Sequence, residues 1–484
     1  MLLNPRLLGN LVLPIAFLAL TFILHLIRLS GADHPSGWDS YFYLVQVKAL
    51  VEEGQMHSSD SSPVYLLLKW LYYACGDYEL AFRYLCAGLA AVFSGLVVHI
   101  GLRLSENSFV GLCIGLFCLF SPTLAFFAAN FPKNLLGIDF FVLLLIFSLS
   151  RNYIGRAIAL SGAVVSHRMT AVLGLMFLAG RSVKLSYLLL AVGGLFLLLV
   201  ASLVFPGLLN LSDLERFSGA FEVIPHLPHW SFSELLDLQA RQPVWVFEML
   251  LGLFLWLWAL YTWIFRWQSV DRNRKWYQSF LLLSLILFFP FWTMEVSSMG
   301  YRLYLTGMLL APILMSWWLS ESGWIVRFAA CLGLVIAGIW SLNTVNTHQF
   351  DPDYASYEQM ASRVEAHFAD DPPELIIGHN GLAEVITFKT GIDVLPWIPE
   401  YEIAPDQLYR IACGVEAFEI EALLGRKLIS PGKRLKLDYL LLLEGDWQEF
   451  VAQVRAEGTD EELLERIDQW KNPAEVRPAY LLRK

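Results

Sequence analysis

Charge is scarce in this chain. Only 16% of its 484 residues are charged, against 56% hydrophobic and 14% aromatic, and the mean hydropathy is +0.53. Soluble globular domains carry roughly 25% charged residues, so this composition excludes one and indicates an integral membrane protein. Cysteine is thin as well. Of the six, Cys75, Cys86, Cys113, Cys118 and Cys331 lie in or beside hydrophobic segments and only Cys413 lies in a polar region, which leaves neither a disulfide framework nor a zinc-binding spacing. The sequence also lacks an internal repeat, and its residues 351–484 lack a phosphate-binding glycine signature and a basic patch suited to nucleic acid.

Long apolar runs are abundant. Residues 8–28, 185–205, 244–265 and 276–294 each approach the ~20 residues that a helix needs to cross a ~30 Å hydrocarbon core. The first run exceeds the ~7–15 residue core of a cleavable signal peptide and no A-x-A-like site follows, so it reads as an anchored helix rather than a leader cut after Ala32. Residues 351–484 hold 26 of the 44 acids and 14 of the 34 bases, a net of −12. Hydropathy falls at the same point, near "NTHQFDPDY". The expected division is therefore a transmembrane domain over 1–347 and a small soluble extracytoplasmic α/β domain over 348–484. Within the latter, "PELIIGHNGLAEVITFKTGIDVLPW" reads strand, helix, strand.

Positive residues near span ends stay cytoplasmic, so "NPR" ahead of the first run places the N-terminus inside and residues 31–62 outside. Spans at 79–103, 108–130 and 134–150 then put "RLSEN" inside, "NFPKN" outside and "RNYIGR" inside. Segment 157–180 resists. As a span it would hold "SHRMT" at mid-bilayer, where Arg costs ~2.5–3.5 kcal/mol, and would put "RSVK" outside; a re-entrant pair of half-helices removes both conflicts. Beyond it, 185–205, 244–265, 276–294, 303–320 and 325–345 cross in turn. The loop 206–243 lies outside, the basic loop "RWQSVDRNRKW" inside, and "MEVSSMGYR" and the C-terminal region outside. The expectation is an α-helical polytopic protein of the cytoplasmic (inner) membrane, with nine spans and one re-entrant element.

The first external loop, "GWDSYFYLVQVKALVEEGQMHSSDSSPVYLLLKW", carries chemistry-bearing groups. Trp38, Tyr41, Phe42, Val45 and Ala49 fall at helical spacing against polar Ser40, Gln46, Lys48, Glu52 and Glu53, which predicts an interfacial amphipathic helix. Asp39 stands where that helix would begin. Spacing alone fits an N-cap, worth about 0.5–2 kcal/mol, as well as it fits an active carboxylate.

The motifs "WDSYFYLVQVKALVEEG", "HSSDSSP", "VYLLLKWLYYAC" and "GDYELAFRYLCAGLAAVF" resemble the N-terminal part of the GT-C glycosyltransferases. These are the multi-span enzymes that include protein O-mannosyltransferases, lipid A aminoarabinose transferases and oligosaccharyltransferase catalytic subunits. The resemblance is close over 1–150, thinner to about 345 and absent beyond. It implies a sugar donor on a polyprenyl or dolichyl phosphate or diphosphate and an acceptor that is a glycan, a lipid or a protein. It also implies a catalytic role for the first-loop Asp, here Asp39, with Asp33 a second candidate. An inverting displacement on a phosphate leaving group needs one base and cations or a metal to take up the leaving charge. Arg302 in "SSMGYRLYLTGMLLAP", Lys133 in "NFPKN" and Arg83 are the outward cations expected to bind substrate, although Lys or Arg near a helix end also snorkels to headgroups.

Asp139, an ionisable group inside an apolar helix, is a further candidate, with a polar contact between helices as the plainer explanation. His57 and Asp60 lie in a loop where solvation is the commoner role of His. His167 and Arg168 fit cytoplasmic-side or re-entrant structure. Glu222, His226 and His229 offer metal-ligand types without a specific spacing. Neither the acidic pair of metal-dependent oligosaccharyltransferases nor their Trp-Trp-Asp-Tyr-Gly motif is present, which argues against protein N-glycosylation and leaves dependence on a divalent metal open. A transporter or flippase, or a non-catalytic binder of polyprenyl-linked glycans, is the rival function. The absence of internal repeats weighs against a transporter.

Overall fold

A computed structural model describes residues 5–181 apart from 59 and 61, 243–265, 299–345 and 347–348, much of 351–397, strands 439–443 and 479–483, and single residues between 279 and 288. The spans expected at 185–205 and over most of 276–294 lie outside the described residues, as do the loop 206–243 with Glu222, His226 and His229, the basic loop, and Cys413. The chain forms two compact units. One comprises Met1–Ala32 with Ser59–Gln349, the other Asp33–Ser58 with Phe350–Lys484.

The first unit is helical among the described residues: α1 (Pro5–Leu29), then α3 (Val64–Cys75) after α2 of the second unit (Ser40–Glu52), α4 (Tyr78–Ser105), α5 (Ser108–Phe120), α6 (Pro122–Asn130), α7 (Pro132–Leu149), α8 (Tyr153–Ser166), α9 (Arg168–Arg181), α10 (Pro243–Phe265), α11 (Met299–Glu321) and α12 (Trp324–Thr344). Six of these helices are long and apolar enough to cross a membrane, seven if the bent α5–α6 pair counts as one span. The chain is a multi-pass membrane protein. Helices α4 and α11 form its core, while α1 and α12 expose rows of large apolar side chains. Small residues let backbones meet: a methyl group on Gly95 of α4 would come within 3.4 Å of the Pro14 carbonyl of α1, and one on Gly115 of α5 would collide with Phe17.

The stretch expected as one span over 108–130 is broken, with a 50° bend between α5 and α6. Pro122 has no N–H to continue the ladder, and Ser121 turns extended and caps α6 by accepting from the Leu124 N–H at 2.9 Å. The groups freed by the break converge on Glu248 of α10, which is 3% exposed. Its carboxyl group accepts from the Ser121 hydroxyl, from the Thr123 N–H at 3.0 Å and from the Thr123 hydroxyl at 2.7 Å, and Trp245 Nε1 donates to Thr123 Oγ1 at 2.9 Å. Irregular backbone among apolar helices survives where protein groups satisfy it. Glu248→Ala would strand these donors at roughly 1–3 kcal/mol each. The variant is expected to melt well below the wild type in detergent and Glu248→Gln, which retains an acceptor, much less so. An Ala variant with wild-type melting would show that Glu248 does not hold the break.

Helices α8 and α9 form a hairpin on α7. A methyl on Gly155 would lie 2.6 Å from the Phe147 ring and one on Gly162 would collide with Phe140, so α8 runs back along α7. A methyl on Gly174 would sit 3.0 Å from Leu160 and 3.3 Å from Leu144, so α9 returns along both. The turn is His167, whose extended backbone separates the two helices.

The second unit contains α2, α13 (Tyr354–His367), β1 (Ile376–His379), α14 (Asn380–Thr390), β2 (Val394–Trp397), β3 (Tyr439–Leu443) and β4 (Ala479–Arg483). Its sheet has the order β2-β1-β3-β4, with β1 parallel to both neighbours and β4 antiparallel to β3. The β1–α14–β2 crossover buries Leu382, Ala383, Val385, Ile386 and Phe388. Helix α2 forms where the spacing predicts one, but it is not a one-faced interfacial helix. Seven of its core positions, Tyr41 and Tyr43 to Ala49 apart from Lys48, are buried in protein, and even Gln46 is enclosed, bonded to the Ser58 N–H at 2.9 Å and the Ser58 hydroxyl at 2.8 Å.

Candidate functional site

In the helical unit, four elements supply charged side chains. The loop before α3 supplies Asp60, the α6–α7 junction supplies Phe131 and Lys133, the α8–α9 turn supplies His167 and Arg168, and the start of α11 supplies Arg302. Pro132 starts α7 at its first helical position, as its fixed φ favours, and this places Lys133 in the first turn. Lys133 Nζ lies 2.6 Å from Asp60 Oδ2. Asp60 is itself fixed: its carboxylate accepts from the Ser62 N–H at 3.0 Å and from the Tyr65 hydroxyl at 3.3 Å, while Ser62 Oγ donates to the Ser166 carbonyl at 3.2 Å and so ties the loop to the hairpin turn.

The Arg302 guanidinium lies over the Phe131 ring, 4.5 Å from its centroid. Phe131 lies two residues before Lys133, and the Ser62–Ser166 bond brings the turn that carries His167 and Arg168 to the Asp60 loop. His167 Nδ1 is enclosed and has no hydrogen-bond partner among the described residues. Lys133, Arg168 and Arg302 outnumber Asp60 among these side chains, a composition suited to a phosphate group. Arg302 and Lys133, two of the expected substrate-binding cations, are thus linked through Phe131 at the start of α7. The sequence reading placed His167 and Arg168 apart from them and treated Asp60 as a solvated loop residue. No local spacing links Asp60 to Lys133, 73 residues away.

The other expected cation, Arg83, has a local structural partner: Nη2 donates to the Ala32 carbonyl at 2.9 Å and holds the chain leaving α1. Asp139 lies inside α7, 3% exposed, and neither carboxyl oxygen has a hydrogen-bond partner among the described residues.

The second unit holds Asp39, Asp33 and His57, all three exposed. Asp39 occupies the N-cap position of α2, yet its side chain makes no capping hydrogen bond. The capping explanation of this residue therefore loses its physical basis. Preceding it is Gly37 with φ +113°, a conformation open to glycine and costly for other residues.

No protein-family model matches the chain, and no curated protein matches its sequence. Among solved structures, it is similar to the crystal structure of ArnT from Cupriavidus metallidurans in the apo state, with a TM-score of 0.53, 13% sequence identity, and coverage of 90% of this chain and 94% of that one. At this identity the likeness concerns architecture alone: the chain shares the overall fold of that structure.

Proposed function

We propose that the chain is an inverting glycosyltransferase of the cytoplasmic membrane that moves a sugar from a polyprenyl-phosphate donor to an acceptor at the external face. Asp39 serves as the base. The N-terminus is cytoplasmic in this reading, and residues 33–58 and the C-terminal region are external. An acceptor hydroxyl or amine attacks the anomeric carbon, Asp39 takes its proton, the bond from that carbon to the phosphate oxygen breaks, and the lipid phosphate leaves with the electron pair. Lys133 and Arg302 accept the charge that grows on the phosphate. Asp33, His57, Arg83 and Asp139 are assigned to substrate binding rather than to the bond-changing step.

The observation that carries the reading is the meeting of the Lys133–Asp60 ion pair with Arg302 through Phe131 and with the hairpin turn through Ser62 and Ser166, in a chain whose fold is similar to that of ArnT. Isolated snorkelling cations would have no reason to converge on one loop. The test is mass spectrometry of lipid-linked sugars and surface glycans in cells with and without the chain. A transferase predicts loss of one sugar from a glycan, lipid or protein, and accumulation of the donor in the external leaflet. Accumulation in the cytoplasmic leaflet alone would identify a flippase, and an unchanged glycan profile would leave only a binder.

A further inference from the structure

Asp39 is exposed, but the residues on either side of it are held by a single side chain. The Tyr354 hydroxyl proton lies between the Gly37 carbonyl at 2.6 Å and the Trp38 carbonyl at 3.0 Å, and the same oxygen accepts from Ser40 Oγ at 3.1 Å. The Tyr354 ring packs against Tyr41, with centroids 4.9 Å apart. Residues 37, 38, 40 and 41 are all touched by Tyr354. Asp351 holds the other side of the turn: its Oδ1 accepts from the Gly37 N–H at 2.7 Å and from Ser36 Oγ at 3.4 Å. The peptide groups flanking the left-handed Gly37 are thereby tied at both ends.

We propose that Tyr354 and Asp351 are positioning residues for Asp39, clamping the Gly37–Trp38 turn so that the carboxylate leaves α2 in one fixed place. This gives the C-terminal chain a role in the reaction, and it rests on the reading of Asp39 as the base. Asp39 makes no capping bond to the first turn of α2, and its backbone follows directly from the Gly37–Trp38 turn that Tyr354 holds. A base displaced by about 1 Å loses roughly 100-fold. Burial holds the Tyr354 hydroxyl well above the usual phenol range, with the charges of Glu384, Asp351 and Asp39 adding to that effect against the Ser40 bond. The hydroxyl remains a donor at neutral pH.

Tyr354→Phe deletes the hydroxyl and keeps the ring. In the full-length protein in lipid nanodiscs, amide hydrogen exchange over 36–42 is expected to rise about 5- to 10-fold, as the loss of one or two hydrogen bonds would give, with exchange over 380–390 unchanged. No change over 36–42, or an equal rise over 380–390, overturns the clamp. Sugar transfer by Tyr354→Phe is expected to fall about 10-fold in kcat with donor KM unmoved, because the clamp acts on the base and not on donor binding. In an Asp39→Glu background, where the carboxylate is already misplaced, the same change should cost less than about twofold. A full further 10-fold loss there means that Tyr354 acts independently of Asp39 and overturns the proposal. The two failures separate: Asp39→Asn turning over at the wild-type rate removes the base reading, whereas an unaffected Tyr354→Phe beside an inactive Asp39→Asn removes the clamp alone.

Discussion

Asp39→Asn is expected to insert, fold and extract from membranes like the wild type while transferring sugar about 10²–10⁴-fold more slowly, the usual loss on removing a general base. Capping and catalysis predict different behaviour for this variant. Asn and Asp rank alike at helix N-caps, so the substitution preserves any capping contribution. The structure weakens the capping explanation further, since the Asp39 side chain makes no bond to the first turn of α2 and the turn before it is held from Tyr354 and Asp351. An amide cannot accept a proton near neutral pH. Asp39→Ser, which also retains capping ability, should be equally inactive, and Asp39→Glu partly active at best because it extends the carboxylate by about one methylene. Initial rates at saturating donor and acceptor, with melting curves on the same preparations, check the expectation. Wild-type turnover by the Asn variant would make Asp39 structural and move the search for the base to Asp33 or Asp139.

The apolar runs specified most of the membrane helices, because a ~20-residue requirement is a local property that one window of sequence can satisfy. The break at Ser121 was not legible in this way. "LFSPTLAF" reads as continuous apolar sequence, and what stabilises its 50° bend is a carboxyl group more than a hundred residues later, Glu248 of α10. Helix α2 shows the same division. Its helical spacing was visible, but whether an apolar side faces lipid or protein depends on α13 and α14, which the periodicity of residues 39–53 cannot report.

The cationic centre divides along similar lines. "SHRMT" was recognisable as too costly for mid-span, and the hairpin turning at His167 accords with that electrostatic conflict. That the turn meets Lys133 and Arg302 follows from the antiparallel packing of α8 on α7, set by Gly155 and Gly162 against Phe147 and Phe140. A glycine in an apolar helix marks a close approach without naming the neighbour. Asp60 lies within "HSSDSSP", but nothing local marked its role, which arises from a tertiary ion pair.

Arg302→Ala is expected to leave the protein intact and to slow sugar transfer roughly 30- to 1,000-fold, the equivalent of about 2–4 kcal/mol of transition-state stabilisation. Charge on the donor phosphate grows as the glycosyl bond breaks, so the loss should fall more on kcat than on donor KM. Arg302→Lys retains the charge but gives up the planar fork and its stacking on Phe131, and should recover only part of the rate. Phe131→Leu separates the two contributions. It removes a contact worth about 0.5–2 kcal/mol while leaving the guanidinium, so its effect should be well below that of Arg302→Ala. Lys133 needs a paired variant, because Lys133→Ala also deprives Asp60 of its partner at 2.6 Å. If Lys133 contacts the phosphate, Lys133→Ala with Asp60→Asn stays slow even though no carboxylate is left uncompensated. If Lys133 serves only to neutralise Asp60, the double variant recovers. Should Arg302→Ala retain wild-type kinetics in a folded protein, Arg302 is a snorkelling anchor, and the donor phosphate must be held by Lys133 and Arg168 without it.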